Sequence, residues 1–243
     1  MRARLDIQLV SRGLADSREK AKRLILAGAV RVEGQLARKP SDLVDSNAAL
    51  AVEAAAKFVS RGGHKLEAAL QAFHIDCHGM ICADLGASTG GFTDCLLQYG
   101  AARVYAVDVG KGQLDWKLRR DRRVTVHDEL NARAVSVADL GQPVELVTID
   151  VSFISLTKVL AAAASILKPG GRIIALIKPQ FEAGKKFVKK GGVVRDSQVH
   201  ESVKKQVQEF AATTLGLVCQ GVLESPLRGP AGNKEFLIAL QKP

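Results

Sequence analysis

Residues 84–93 read Asp84-Leu85-Gly86-Ala87-Ser88-Thr89-Gly90-Gly91-Phe92-Thr93. An apolar strand ends here, and a helix begins after a turn made almost entirely of small residues. Such a turn lets backbone pass close to a ligand, which a larger side chain would prevent. Ser88 replaces the second glycine of a dinucleotide Gly-x-Gly-x-x-Gly fingerprint, and no Gly-Lys-Ser/Thr closes the loop. NAD and ATP are therefore disfavoured. Asp108 follows Gly86 by 22 residues at the end of the next apolar run, near the spacing at which an acidic side chain receives ribose hydroxyls. A nucleoside without pyrophosphate fits this arrangement, held by Asp84, Gly86 to Thr93 and Asp108. Asp128, at the end of a third run, is either an adenine-side contact or a plain loop residue.

Outward from this turn, apolar strands alternate with helical stretches, the pattern of a doubly wound α/β sheet. Strands are expected near 81–85, 103–108, 124–128, 144–150, 172–178, 217–224 and 235–241. Helices are expected near 90–99, 113–120, 154–167 and 197–214. Another helix, with Leu66, Ala69, Leu70 and Phe73 on one face, precedes the first strand.

The amino-terminal segment has a different rhythm. Leu5 and Leu9 suggest a short helix ending near Gly13. Ser17 can cap a second, in which Ala21, Leu24, Ile25 and Gly28 share a face. Val30 to Gly34 alternates as a short strand and turn should. The joint is expected around Ala55 to Arg61, giving a small domain over 1–58 and a larger one over 59–243.

Charge separates the two parts. The 243-residue chain carries 35 Lys and Arg against 25 Asp and Glu, a formal +10, and residues 1–40 hold ten basic and four acidic side chains. This excess favours a polyanion such as nucleic acid or acidic lipid. Arg4, Arg12, Arg18, Lys22, Arg31 and Arg61 are the candidate contacts. No aromatic precedes Phe58, so phosphate contacts rather than base stacking would dominate. The basic stretch Lys185-Lys186-Phe187-Val188-Lys189-Lys190-Gly191-Gly192 either closes over a polyanion or is a solvated loop. The four cysteines lack zinc-like spacing, no apolar run reaches the ~18–20 residues of a membrane span, and no cleavable signal is evident. A cytoplasmic protein without stable membrane association or bound metal is expected.

Active sites in open α/β sheets lie beyond the carboxyl ends of the parallel strands. Asp150 ends the fourth expected strand and Lys178 the fifth. Glu235 opens the last, and an antiparallel course would bring it to the same edge. Lys65 lies on the preceding helix, one step off its apolar face. Two lysines and two carboxylates thus converge on one crevice.

The segments Ser60-Arg61-Gly62-Gly63-His64-Lys65-Leu66, 84–93, Thr148-Ile149-Asp150-Val151-Ser152-Phe153-Ile154-Ser155-Leu156 and Ile177-Lys178-Pro179-Gln180-Phe181-Glu182 together resemble the TlyA, or haemolysin A, family of FtsJ-like methyltransferases. The run Arg4-Leu5-Asp6, Arg12-Gly13, Ser17-Arg18, Gly28, Val30-Arg31-Val32 and Gly34 resembles the small RNA-binding domain first described in a ribosomal small-subunit protein. The resemblance implies a Rossmann-like seven-stranded methyltransferase sheet behind a small α+β RNA-binding domain. It also implies S-adenosylmethionine as cofactor, ribosomal RNA or ribosomal subunits as partner, and 2′-O-methylation of ribose, usually at cytidine. The family's Lys-Asp-Lys-Glu tetrad falls on Lys65, Asp150, Lys178 and Glu235. Where the family has Glu-Arg-Thr-Asn on the adenine side, this chain has Asp128-Glu129-Leu130-Asn131.

Ribose oxygen also suits the residues. No Asn/Asp-Pro-Pro-Tyr loop follows the fourth strand for amino methylation, and no cysteine stands at the relevant strand ends. A free lysine is a poor base at neutral pH, with a pKa of about 10.4, but desolvation and a second ammonium nearby would lower it. Lys178 is the expected contact to the hydroxyl, with Lys65 as its electrostatic neighbour, and the two roles are exchangeable. Two other functions remain open at this level: a membrane-active haemolysin, and an RNA-binding factor without catalysis.

Overall fold

The computed structural model describes residues 2–26, 28–52, 56–189 and 191–243. Ala55 of the expected joint and Lys190 of the basic stretch lie outside the described residues. The chain divides into two compact units, Met1–Lys57 and Phe58–Pro243.

In the first unit, β1 (Arg2–Arg4), α1 (Leu5–Ser11), α2 (Arg18–Leu26), β2 (Val30–Val32), β3 (Gln35–Leu36), β4 (Leu43–Asp45) and β5 (Leu50–Val52) follow in order. Leu5, Leu9, Ala21, Ile25, Val30 and Val44 form its core. The Ser17 hydroxyl caps α2 by accepting from the Lys20 N–H at 3.2 Å. Strand β2 pairs antiparallel with both β3 and β5, and β1 pairs antiparallel with β4. The sequence reading missed β1, β3, β4 and β5. Each has two or three residues, too few for alternation to register, and β1 and β4 pair across about forty intervening residues.

The second unit contains α3 (Gly62–Ala72), β6 (Ile81–Leu85), α4 (Gly91–Gln98), β7 (Arg103–Val107), α5 (Trp116–Arg119), β8 (Val124–His127), α6 (Val137–Leu140) and β9 (Val144–Ile149). It continues with α7 (Thr157–Ser165), β10 (Leu167–Ile177), α8 (Pro179–Glu182), α9 (Ser197–Leu215), β11 (Val218–Glu224) and β12 (Phe236–Gln241). Its sheet has the order β11-β12-β10-β9-β6-β7-β8. Strands β8, β7, β6, β9 and β10 are parallel, whereas β12 runs antiparallel to both β10 and β11. Connections leave β6 for β7 on one side, while β9 flanks it on the other. The carboxyl ends of β6 and β9 therefore mark the topological switch point where such sheets bind ligands.

Both faces of the sheet are covered, which is why its central strands read as unbroken apolar runs. One face packs Leu85, Ile149 and Ile173 against Val159 and Leu160 of α7 and Val203 and Val207 of α9. The other packs Leu146, Ile174 and Leu176 with Leu66 and Leu70 of α3 and Leu96 of α4. Each such side chain contributes about 1.5–3 kcal/mol by burial. Phe58, assigned above to the first domain, packs within this second core, where a Cβ on Gly63 would lie on its ring.

The one-turn helices α6 and α8 were not expected, and two further elements differ from expectation in extent. The helix expected over 113–120 is a single turn, because Leu114 and Leu118 instead seat against Gly90, where a Cβ would overlap them. Strand β10 begins at Leu167 rather than 172, and an irregularity between Leu167 and Arg172 absorbs Pro169 and the two glycines.

Candidate active site

The turn after β6 is held from below. The fully buried Asp84 accepts hydrogen bonds from the hydroxyls of Thr93 on α4, at 2.7 Å, and Thr148 on β9, at 3.0 Å. Burial pushes its carboxyl up to about 6, against the pull of these two bonds and with a smaller push from Asp150. Asp84 and Thr93 therefore brace the turn rather than face a ligand. Gly86 has φ +85, and a Cβ there would lie 2.7 Å from the Asp150 carbonyl oxygen. A Cβ on Gly91 would collide with the Ser60 hydroxyl and approach the Gly63 nitrogen. Ser88 also has positive φ, at 49°. Asp108 accepts from the Ser88 N–H at 2.8 Å with one oxygen and the Gly110 N–H at 2.7 Å with the other.

Two cavities open around this turn. One, of about 300 Å³, is lined by Arg61, Lys65, Ala87, Thr89, Gly91 and Phe92 among others, and by Lys178, Arg228 and Glu235. The other, of about 1180 Å³, is lined by Val107, Asp108, Gln113, Asn131, Phe153 and Gln180 among others. Gly86, Ser88, Asp150 and Ser152 line both. The two spaces meet where β6 and β9 end.

The four expected tetrad residues reach the smaller cavity as two ion pairs. Lys65 Nζ donates to Glu235 Oε2 at 2.5 Å, and Lys178 Nζ lies 2.6 Å from Asp150 Oδ1. Lys65 comes from α3, Asp150 and Lys178 follow β9 and β10, and Glu235 immediately precedes the antiparallel β12. Lys178 Nζ also donates to Ser152 Oγ at 3.0 Å. Its contact with Asp150 lacks hydrogen-bond angles, so Asp150 Oδ1 is buried without a hydrogen-bond donor, as is Gln180 Oε1 at the edge of the larger cavity.

Sequence reading missed Ser152, Glu182 and Arg228. Glu182 accepts from the Leu156 N–H at 2.7 Å and the Ser155 hydroxyl at 2.6 Å, tying α8 to the loop after β9. Burial raises its carboxyl above the usual range. Asp128 lines neither cavity. It accepts from Arg119 at 2.5 Å and from the Gly112 N–H at 3.2 Å, which makes it a brace between the segments after β7 and β8.

In the first unit several expected contacts are already engaged. Arg4 and Arg18 both bond the buried Asp6 carboxylate, at 3.0 and 3.2 Å, and the Arg4 bond foremost holds that carboxyl below its ordinary range. Arg12 donates to the carbonyls of Ala48 and Ser46, Lys22 pairs with Glu19, and Arg31 reaches the Gly34 carbonyl. Arg61 is exposed at the start of α3 and lines the smaller cavity.

Comparison with known proteins fits this geometry. Residues 58–242 match the family model for FtsJ-like methyltransferases, and residues 3–50 match the S4 domain. The chain is 48% identical over 246 residues to the 16S/23S rRNA (cytidine-2′-O)-methyltransferase TlyA of Mycobacterium tuberculosis, covering 99% of this chain and 90% of that one. It is 40% identical to Hemolysin A of Brachyspira hyodysenteriae, covering 96% and 98%. A solved structure of a hemolysin candidate from Streptococcus thermophilus superposes with a TM-score of 0.76 at 44% identity, covering 99% and 88%. With the glycine turn, the switch-point cavities and a family match over the whole second unit, this chain belongs to the FtsJ-like methyltransferases and carries an S4 domain ahead of the catalytic fold.

Proposed function

We propose that this chain uses S-adenosylmethionine to methylate the ribose 2′-oxygen of ribosomal RNA, at cytidine. The observation that carries the reading is the meeting of two cavities at Gly86 and Asp150, with two lysine–carboxylate pairs on one side and a ribose-type acceptor, Asp108, on the other. The group fits the residues present, since small backbone at Gly86 and Ser88 forms the rim that the two cavities share, and Gln180 Oε1 lies buried without a partner at the edge of the larger one.

Gly86 to Ser88, Asp108 and Asn131 would hold the nucleoside. When bound, the cofactor supplies an electrophilic methyl group. The chain's part is to align the acceptor and handle its proton. Positioning carries much of the rate in such a transfer. Lys178 Nζ, fixed by Asp150 and Ser152, orients the ribose hydroxyl and, once it has given up its own proton to solvent, takes the hydroxyl's proton as the oxygen is methylated. Asp150 offers the hydroxyl an unfilled acceptor oxygen. Lys65, locked to Glu235, supplies a neighbouring cation.

The S4 domain within residues 1–58 holds RNA by its basic surface, and residues 59–243 carry the chemistry. Ribosomal RNA as substrate places the protein in the cytoplasm. The family match of the larger unit and the relative named as an rRNA methyltransferase support this over a membrane role, and among the described residues no helix is long and apolar enough to cross a membrane.

The test is to incubate purified protein with labelled S-adenosylmethionine and ribosomal subunits, then map the label. A 2′-O-methylcytidine in ribosomal RNA is expected. Label on a base, or no label in RNA, sinks the reading.

A further inference from the structure

Charge in the smaller cavity does not balance. As two ion pairs the tetrad contributes two ammonium and two carboxylate groups and is neutral as a set, and loss of a proton from Lys178 before reaction makes it more negative. Two further cations line the same space, Arg61 at the start of α3 and Arg228 in the segment between β11 and β12. Both are exposed, and among the described residues no carboxylate pairs with either. The Arg228 side chain makes only a long contact to the Gly232 carbonyl, 3.4 Å, and among the described residues the Arg61 side chain has no hydrogen bond. Gly62, the first residue of the eleven-residue α3, also lines the cavity. The partial positive charge of a helix amino end adds to that of the guanidiniums.

The acceptor chemistry accounts for this excess. In an RNA chain the 2′-oxygen and the 3′-phosphodiester sit on adjacent ribose carbons. A hydroxyl presented to Lys178 therefore brings a phosphate anion to the mouth of the same cavity. A neutral tetrad cannot compensate that charge, whereas a guanidinium can, and its planar fork matches two phosphate oxygens. We propose that Arg61 and Arg228 form a phosphodiester subsite that receives the phosphate 3′ to the target ribose. The subsite rests on the function proposed above and deepens it. It makes the protein a reader of internal nucleotides, selecting against free nucleosides and 3′-terminal residues.

The test measures binding separately from catalysis. Affinity for ribosomal RNA is followed by filter binding across a salt series, and cofactor affinity by calorimetry, for the wild type, Arg228→Gln, Arg61→Gln and Arg228→Lys. Each Gln variant is expected to bind RNA about tenfold more weakly and to lower the slope of log K against log salt by about one. Arg228→Lys should recover the slope but only part of the affinity, because a point charge replaces a fork. Cofactor affinity should stay at the wild-type value for Arg228→Gln. Unchanged RNA slopes in both Gln variants overturn the subsite. A loss of cofactor affinity matching the loss of RNA affinity also overturns it, and reassigns the arginines to the cofactor's own carboxylate. Wild-type protein that binds RNA with these slopes but transfers no methyl group to it would defeat the proposed function while leaving the phosphate subsite standing.

Discussion

A Cβ on Gly86 would stand 2.7 Å from the carbonyl oxygen of Asp150 and 3.0 Å from its carbonyl carbon. The two residues follow adjacent parallel strands, and the Asp150 N–H donates to the Leu85 carbonyl at 3.0 Å. The switch point is thus closed backbone to backbone, with no space for a side chain. Gly86→Ala must push β6 and β9 apart at their tips and also force an L side chain to φ +85. Strain of this kind costs about 1–3 kcal/mol. The variant should unfold at lower urea and bind S-adenosylmethionine at least about tenfold more weakly. Chemical denaturation and calorimetry check this, and wild-type values in both would show that the tips yield without cost.

Asp108 has a double duty that its position in the sequence only half reveals. One oxygen holds the Ser88 N–H and the other the Gly110 N–H, so the carboxylate shapes the turn as well as facing the larger cavity. Asp108→Ala should weaken cofactor binding about 10–100-fold, the worth of a hydrogen bond to a charged group. Asp108→Asn, which keeps one acceptor, should lose less. RNA affinity should hardly move in either. Equal losses of cofactor and RNA affinity would mean the residue supports the fold generally.

What was legible in the sequence followed from periodicity and strand ends. All seven strands of the large sheet stand near their expected places, the inner ones because strands buried on both faces leave long apolar runs such as 173–177. Lys65, Asp150, Lys178 and Glu235 were legible as neighbours because three of them flank strand ends at one edge of the sheet. Ser152, Glu182 and Arg228 were not, since each reaches its place through an irregular loop whose path no repeat encodes. Position left Asp128 open between a ligand and a plain loop residue, and Arg119, nine residues earlier, captures it. Arg4 and Arg18 looked like free phosphate contacts, and only the burial of Asp6 shows that they also neutralise a carboxylate.

Asp84 gives a pH dependence with a definite sign. Its folded carboxyl is raised to about 6 by burial, above an unfolded value of about 3.9. A carboxyl raised in the folded state favours folding fully below its unfolded pKa, and that contribution is lost as pH rises through the folded value. Asp84→Asn stays neutral throughout. Relative to this variant, the wild type should lose about 2 kcal/mol of stability between about pH 4.5 and about pH 8. Urea titrations of both proteins at the two pH values provide the comparison, in which groups common to both cancel. A difference that stays constant with pH would show that Asp84 does not titrate in this window.

The last prediction concerns which lysine meets the hydroxyl. Lys65 is tied to Glu235, which is almost completely buried, and removing one member of such a pair costs about 3–5 kcal/mol. Lys65→Ala therefore confounds catalysis with folding. Lys178 is the cleaner probe. Its partner Asp150 keeps some solvent exposure and can hydrate when left alone, and Ser152 loses only one hydrogen bond. Lys178→Ala should lower methyl transfer by at least the ~10²-fold typical of a general acid–base group. Cofactor affinity should change little, because the turn from Gly86 to Thr93 and the Asp108 bonds are untouched. Single-turnover rates at saturating cofactor and RNA, with a thermal melt to confirm folding, decide the matter. A rate within a fewfold of wild type would pass the role to Lys65. In that event Lys65→Arg, which keeps the charge against Glu235 but stays protonated and cannot act as a base, should abolish transfer while preserving the melt.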